Sequence, residues 1–137
     1  MGLVLDSSVI VSAERQTLPV SALLEGLRER HGASPIILSA ISVVELEHGI
    51  YRARSTQQKE RRRVYLDEVF STIPAAPFTD EIARLVARID AESRQAGKAI
   101  PFADLLIGGT ALHLGYSLAT GNRRHFAMIP NLDVLPV

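Results

Sequence analysis

The sequence predicts an α/β fold, a parallel sheet covered by helices on both faces. Two observations predict it. Short runs at 2–5 and 35–38 are apolar throughout and read as strands buried on both sides. Longer stretches with helical periodicity and recognisable starts and stops lie between the strand candidates, so strand and helix alternate along the chain. A hydrophobic share of 47% suits a packed core and excludes a disordered chain. The 137 residues amount to one domain, 1–137, with no linker, repeat or low-complexity segment.

In order, residues 2–5 form the first strand, and "SSVIVSAERQ" starts a helix with Ser7 or Ser8 as its N-cap. "LPVSALLEGLRERHG" is a second helix, with Pro19 in its first turn and Gly32 at its stop. "PIIL" is the second strand. "SAISVVELEHGIYRAR" is helical, and the basic stretch that follows is helical as far as Phe70. "STIPAAPF" is a short extended piece. In "TDEIARLVARIDAESRQAG" the residues Ile82, Leu85, Val86 and Ile89 share one helical face, capped by Thr79 and ended by Gly97. "PFADLLIGGTALHLG" is a helix from Pro101 to Gly115. "YSLAT" is a strand and "DVLPV" a weak terminal one.

Composition narrows the function classes. With no cysteine, disulfide scaffolds, thiolate zinc sites and cysteine nucleophiles are excluded. Aromatics are 5% with no Trp, which argues against a base-stacking platform. No run approaches about 18 apolar residues, and the N-terminus has no basic region ahead of a long apolar core, so a soluble, cytoplasmic protein is expected with no membrane contact. Net charge is zero, which counts mildly against a nucleic-acid protein. The charge is uneven, however: 52–63 carries Arg52, Arg54, Lys59, Arg61, Arg62 and Arg63 against Glu60 alone. That run is either a phosphate-binding arm or a solvated helix face.

Acidic residues stand at the ends of elements. Asp6 ends the first strand, where a carboxylate is costly to bury alone. Asp104 lies in the first turn of a helix, Glu45 in the helix after the second strand, and Thr120 and Asn122 just beyond another strand. Ligands of open α/β sheets bind at the carboxyl ends of strands. If the fold gathers these carboxylates at one rim, they stay ionised only beside a cation, and hard oxygen ligands suit Mg²⁺ or Mn²⁺. Such an ion serves phosphodiester hydrolysis. Each residue also has a plainer reading: Asp6 as a turn or cap, Asp104 as a charge complementing a helix N-terminus, Asn122 as a turn residue. Glu45 and Glu47 point roughly 200° apart on a helical wheel. Glu47 falls nearer the apolar arc of Val43, Leu46 and Ile50, so periodicity does not single out Glu45.

Four stretches, in order, resemble a known family. "LVLDSSVIV", "SAISVVELEHG", "GKAIPFADLLIGGTA" and "LATGNRRHF" are similar to the motifs of PIN-domain ribonucleases of the VapC toxin type, over Leu3 to Phe126. The resemblance implies a PIN-like α/β/α sandwich with a parallel sheet of about five strands. It implies Asp6, Glu45 rather than Glu47, and Asp104 as acidic metal ligands, with Asn122 where the wider family often has Asp. That leaves three formal negative charges and weakens the case for a second ion. Ser8 and Thr120 are implied as groups that position ligands or water. The implied activity is RNA hydrolysis with Mg²⁺, or Mn²⁺ in its place, by a toxin that pairs with a small antitoxin and with its own copy. Arg123 and Arg124 directly follow Asn122 and, with Arg52 and Arg54, are expected to contact phosphates. Apolar residues of Val20 to Leu27 and Ile50 to Val64 are either partner surfaces or core.

Other classes fit less well. Glu45 and His48 form one Glu-x-x-His, whereas di-iron bundles need two. No Gly-rich phosphate loop follows the first strand. "DSSV" faintly resembles haloacid-dehalogenase phosphatases, but these need a second acid where Ser8 stands. A PIN-like binding module without catalysis is the alternative from a different class.

Overall fold

The computed structural model describes residues 1–32 and 34–137. The chain runs β1 (Leu3–Leu5), α1 (Ser7–Arg15), α2 (Val20–His31), β2 (Ile36–Ser39), α3 (Ala40–Tyr51), α4 (Thr56–Thr72), β3 (Ala75–Ala76), α5 (Asp80–Gln95), α6 (Phe102–Leu114), β4 (Ser117–Thr120), α7 (Arg123–Phe126) and β5 (Val134–Pro136). All strand pairings are parallel, in the order β3-β2-β1-β4-β5. Leu3 is in register with Ile36 on one side and with Ser117 on the other. The chain builds β2 and β3 to one side of β1, then returns to build β4 and β5 on the other. The strand order therefore reverses at β1, the point where α/β sheets open a crevice at their carboxyl edge.

Side chains alternate across the strands, and both faces are buried. Leu3 and Leu5 join Leu38 and Ala119 in one core with Val9, Ile10, Leu27, Leu46, Ile50, Leu66 and Val69 of α1 to α4. Val4 and Leu118 join the opposite core with Ile82, Val86 and Ile89 of α5, Leu105, Ile107 and Ala111 of α6, and Phe126. α3 contributes to both, since Ile41 packs against the second core. It thus packs against both α1 and α6.

Local chemistry explains the element ends. Ser39, Ser55 and Thr79 cap α3, α4 and α5 with side-chain oxygens that accept from Ile41, Gln58 and Ile82 backbone N–H groups. Gly32 and Gly115 end α2 and α6 at φ of +60° and +71°, which glycine adopts without strain. Three expectations need correction. The N-cap of α1 is Asp6, not Ser7 or Ser8. The helix expected through Arg54 stops at Tyr51, and α4 starts afresh at Thr56. α7 was not foreseen, because four residues carry no readable period. Of the two apolar stretches left open, Val20, Leu23, Leu24 and Leu27 are core, whereas Tyr51 and Val64 remain 67% and 63% exposed.

Two adjacent glycines sit inside α6, where they weaken a helix by about 1 kcal/mol each. Packing accounts for them: a Cβ on Gly108 would collide with Ile129, and one on Gly109 with Val86 of α5. Gly109→Val should therefore destabilise the protein by about 1–3 kcal/mol through overpacking. That outweighs the few tenths gained in helix propensity. Urea unfolding measures the difference.

Candidate active site

Asp6 follows β1 and is 5% exposed. Although it holds the N-cap position of α1, its carboxylate caps no helix N–H. Its Oδ2 accepts instead from the Ser8 hydroxyl at 2.8 Å and the Thr120 hydroxyl at 2.9 Å. The same hydroxyl oxygens accept from backbone N–H groups of the β4–α7 turn, Ser8 from Gly121 at 3.0 Å and Thr120 from Asn122 at 2.9 Å. The turn is thus stitched to Asp6 through two hydroxyls that both donate and accept.

Glu45 and Asp104 reach the same place from α3 and α6. Glu45 Oε1 accepts from Ser7 Oγ at 2.8 Å. Burial pushes the Glu45 carboxyl above its usual range, the Ser7 bond pulls it back, nearby Asp6 and Asp104 push it further, and Arg52 opposes them. Asp104 is also raised, first by burial and then by Asp6, against the His125 hydrogen bond. The three carboxyl groups line the same open cleft. Glu47, two residues on, is engaged elsewhere: Arg63 pairs with it and holds it below the carboxylate range. Of the two, Glu45 lines the cleft and Glu47 does not.

Two contacts were not foreseen. Ser7 was read as a cap, yet it orients Glu45. His125 Nδ1 lies 2.8 Å from Asp104 Oδ2 and 3.2 Å from Asn122 Nδ2. One ring nitrogen cannot donate to the carboxylate and accept from the amide together. An ionised Asp104 requires the Nδ1–H form, which leaves the Asn122 amide nitrogen unbonded to the ring. The signal for His125 was its position three residues after Asn122, which is legible only once α7 is known to be helical.

Asp6, Ser7, Ser8, Val11, Ser12, Arg15, Gln16, Glu45, Asp104 and Asn122 line an open cleft of about 440 Å³. Thr120 lies buried beneath Asp6. Arg52 lines a neighbouring hollow with Glu45. Arg54, Arg123 and Arg124 are exposed and line neither. Ser8, where a dehalogenase-type phosphatase needs an acid, serves Asp6 as a donor. His48 is exposed and is not among the groups lining the cleft.

The donor set fits a hard divalent cation. One oxygen of each carboxylate is held by a protein donor, Oδ2 of Asp6, Oε1 of Glu45 and Oδ2 of Asp104. No donor among the described residues reaches the other oxygen of each. Among the described residues, no three His, Cys, Asp or Glu side chains stand together closely enough to hold a metal ion. An open, carboxylate-lined cleft matches the preference of Mg²⁺ for few protein ligands and several waters, not that of a structural site.

The fold and this cleft define a class, and sequence comparison assigns it. The PIN domain family model matches residues 3–131. Over 137 residues the chain is 31% identical to Ribonuclease VapC of Rickettsia bellii and 32% identical to Ribonuclease VapC1 of Rickettsia felis, covering all of this chain and 97% of each relative. The crystal structure of VapBC2 from Rickettsia felis, bound to a DNA fragment from its promoter, superimposes with a TM-score of 0.86 at 26% identity, over 100% of this chain and 99% of that one. The chain belongs to the PIN-domain family and, within it, to the VapC group.

Thr120→Val removes a donor to buried Asp6 and the acceptor for the Asn122 N–H. It should cost about 1–3 kcal/mol in urea unfolding, while Ser12→Ala on the exposed rim stays within about 0.5 kcal/mol. A second outcome follows from the raised Glu45 and Asp104 carboxyls. In the metal-free fold they bind protons more tightly than in the unfolded chain, so the stability they contribute is present at acid pH and is lost as pH rises through their raised values. Metal-free Glu45→Gln should therefore melt above the parent near neutrality in thermal scans, a gap that closes as pH falls into the carboxylate range.

Proposed function

We infer that the chain is a divalent-metal-dependent endoribonuclease and the toxin of a toxin–antitoxin pair. The observation that carries this reading is the meeting of Asp6, Glu45 and Asp104, from three separate elements, in one cleft at the carboxyl edge of the sheet. Support comes from relatives matched along the whole chain that bear the name ribonuclease.

Asp6 and Asp104 would hold Mg²⁺, or Mn²⁺ in its place, through their unoccupied oxygens, with Glu45 and Asn122 contributing directly or through water. When bound, such an ion acidifies water and neutralises charge that builds on a phosphoryl group. The chain's own residues prepare the site. Ser8 and Thr120 fix the Asp6 carboxylate, Ser7 fixes Glu45, and the Nδ1–H of His125 fixes Asp104. Arg123 and Arg124, both exposed, directly follow Asn122 at the start of α7 and, with Arg52 and Arg54, are assigned to substrate phosphates. The substrate is RNA, single-stranded or looped. The name VapBC of the Rickettsia felis assembly supports a small antitoxin as partner. A homodimer in the cytoplasm completes the reading. Among the described residues no helix is long and apolar enough to cross a membrane.

Asp6→Asn, Glu45→Gln and Asp104→Asn should each lower Mg²⁺-dependent cleavage of single-stranded RNA by more than about 100-fold, beyond the loss expected for a supporting partner alone. Each should keep the parent's circular dichroism. Full activity in Asp6→Asn or Asp104→Asn would sink the assignment.

A further inference from the structure

The acidic cleft has a basic neighbour. Behind Glu45 lies a hollow of about 250 Å³ lined by Val11, Glu14, Arg15, Glu45, Leu46, Gly49, Arg52 and Arg62. It shares Val11, Arg15 and Glu45 with the cleft. Three arginines thus reach one space from three elements: Arg15 from the last turn of α1, Arg52 from the cap of α3, and Arg62 from α4. Arg15 also lines a further groove with Arg61 and Arg62, so it stands at the junction of all three spaces.

Arg52 and Arg62 belong to the basic run of 52–63, and two other members of that run are engaged elsewhere. Arg63 is taken by Glu47 and Asp67. Lys59 lies 5.3 Å from the centroid of the Tyr51 ring. Arg62 is anchored by one bond, from Nη1 to the Gly49 carbonyl at 2.6 Å, which holds the start of α4 against α3. Its other N–H groups meet no protein acceptor among the described residues. Among those residues, Arg15 and Arg52 have no carboxylate within ion-pair distance, although Arg52 is close enough to lower the Glu45 carboxyl. Glu14 is the opposing charge in the hollow besides Glu45. A cation shared with Glu45 would leave the three guanidinium groups in excess.

We propose that Arg15, Arg52 and Arg62 form a subsite for an RNA phosphodiester next to the one cleaved. The proposal deepens the ribonuclease reading and rests on it for the identity of the ligand. Guanidinium forks pair with phosphate oxygens in a planar, two-bond fashion that an isolated surface lysine does not match. The continuity of hollow and cleft lets one strand occupy both. An acidic peptide would meet the same arginines, but it would have no reason to continue into a cleft lined by carboxylates.

The experiment measures binding of a labelled single-stranded RNA of mixed sequence to the Asp104→Asn protein, which leaves the strand intact, by fluorescence anisotropy between about 50 and 200 mM salt. Arg15→Gln and Arg52→Gln, made in that background, should each weaken binding about tenfold. Each should also reduce the slope of log affinity against log salt by about 0.7, one single-strand phosphate contact. Arg15→Lys should recover part of the affinity and the full slope. Arg88→Gln, an equal loss of charge on exposed α5, should change neither. Arg15 and Arg52 are exposed, so both variants should fold, and thermal melts check this. Affinity and slope that match Arg88→Gln overturn the subsite, whatever the variants do to a protein partner, and so does absence of RNA binding. Mg²⁺-dependent cleavage by the parent is scored separately. Cleavage with arginine-independent binding removes the subsite and keeps the nuclease, whereas arginine-dependent binding without cleavage does the reverse.

Discussion

A buried carboxylate at the end of the central strand is the constraint on which the site depends. Asp6 is almost fully enclosed, and an ionised carboxylate without partners is far too costly to leave there. The fold meets the demand with two hydroxyls, one from α1 and one from the end of β4, both on the same oxygen. Because those hydroxyls also accept from the Gly121 and Asn122 backbones, solvating Asp6 and shaping the β4–α7 turn are one event. The turn in turn places His125 on Asp104. A single desolvation problem at β1 thereby organises residues from three distant parts of the chain.

The same economy runs through all three carboxylates. Each is gripped at one oxygen and left open at the other, an arrangement that would fix the orientation of a cation ligand in advance. The raised Glu45 and Asp104 carboxyls express burial first and the neighbouring carboxylates after it. Sheet topology decides where these groups meet. Since β1 lies between β2 and β4, the loops after the three strands diverge from a common edge and leave a crevice between them.

Much of this was legible in the sequence, for identifiable reasons. Buried parallel strands leave continuous apolar runs such as "LVL" and "IIL", and the cap at Thr79 and the stop at Gly115 carry local chemistry that needs no tertiary context. Helical position could not separate Glu45 from Glu47, because both are partly exposed and what distinguishes them is a partner: Ser7 for one, Arg63 for the other. That information lies 38 and 16 residues away along the chain. The cap of α1 was misplaced by one residue because two serines follow Asp6, and only the fold shows that their hydroxyls turn to carboxylates rather than to helix N–H groups. The basic run was visible as composition, but composition cannot tell a guanidinium held by Glu47 from one that lines a hollow.

Net charge is the feature most open to misreading. A balance of zero suggests indifference to nucleic acid, yet the balance is an average over a surface on which charges of opposite sign lie side by side. With no net charge, long-range attraction of a polyanion is weak, and the Debye length of about 8 Å at physiological salt confines what remains to near neighbours. Recognition of RNA by such a chain has to be local, through guanidinium groups at contact distance. Those groups must stand beside the carboxylates without pairing with them, since a full ion pair would occupy both the metal ligand and the phosphate donor. Arg52 meets that condition: it is near enough to bias Glu45 and makes no salt bridge with it. Separation without neutralisation would thus let a protein of zero net charge hold a cation and a polyanion in adjoining spaces.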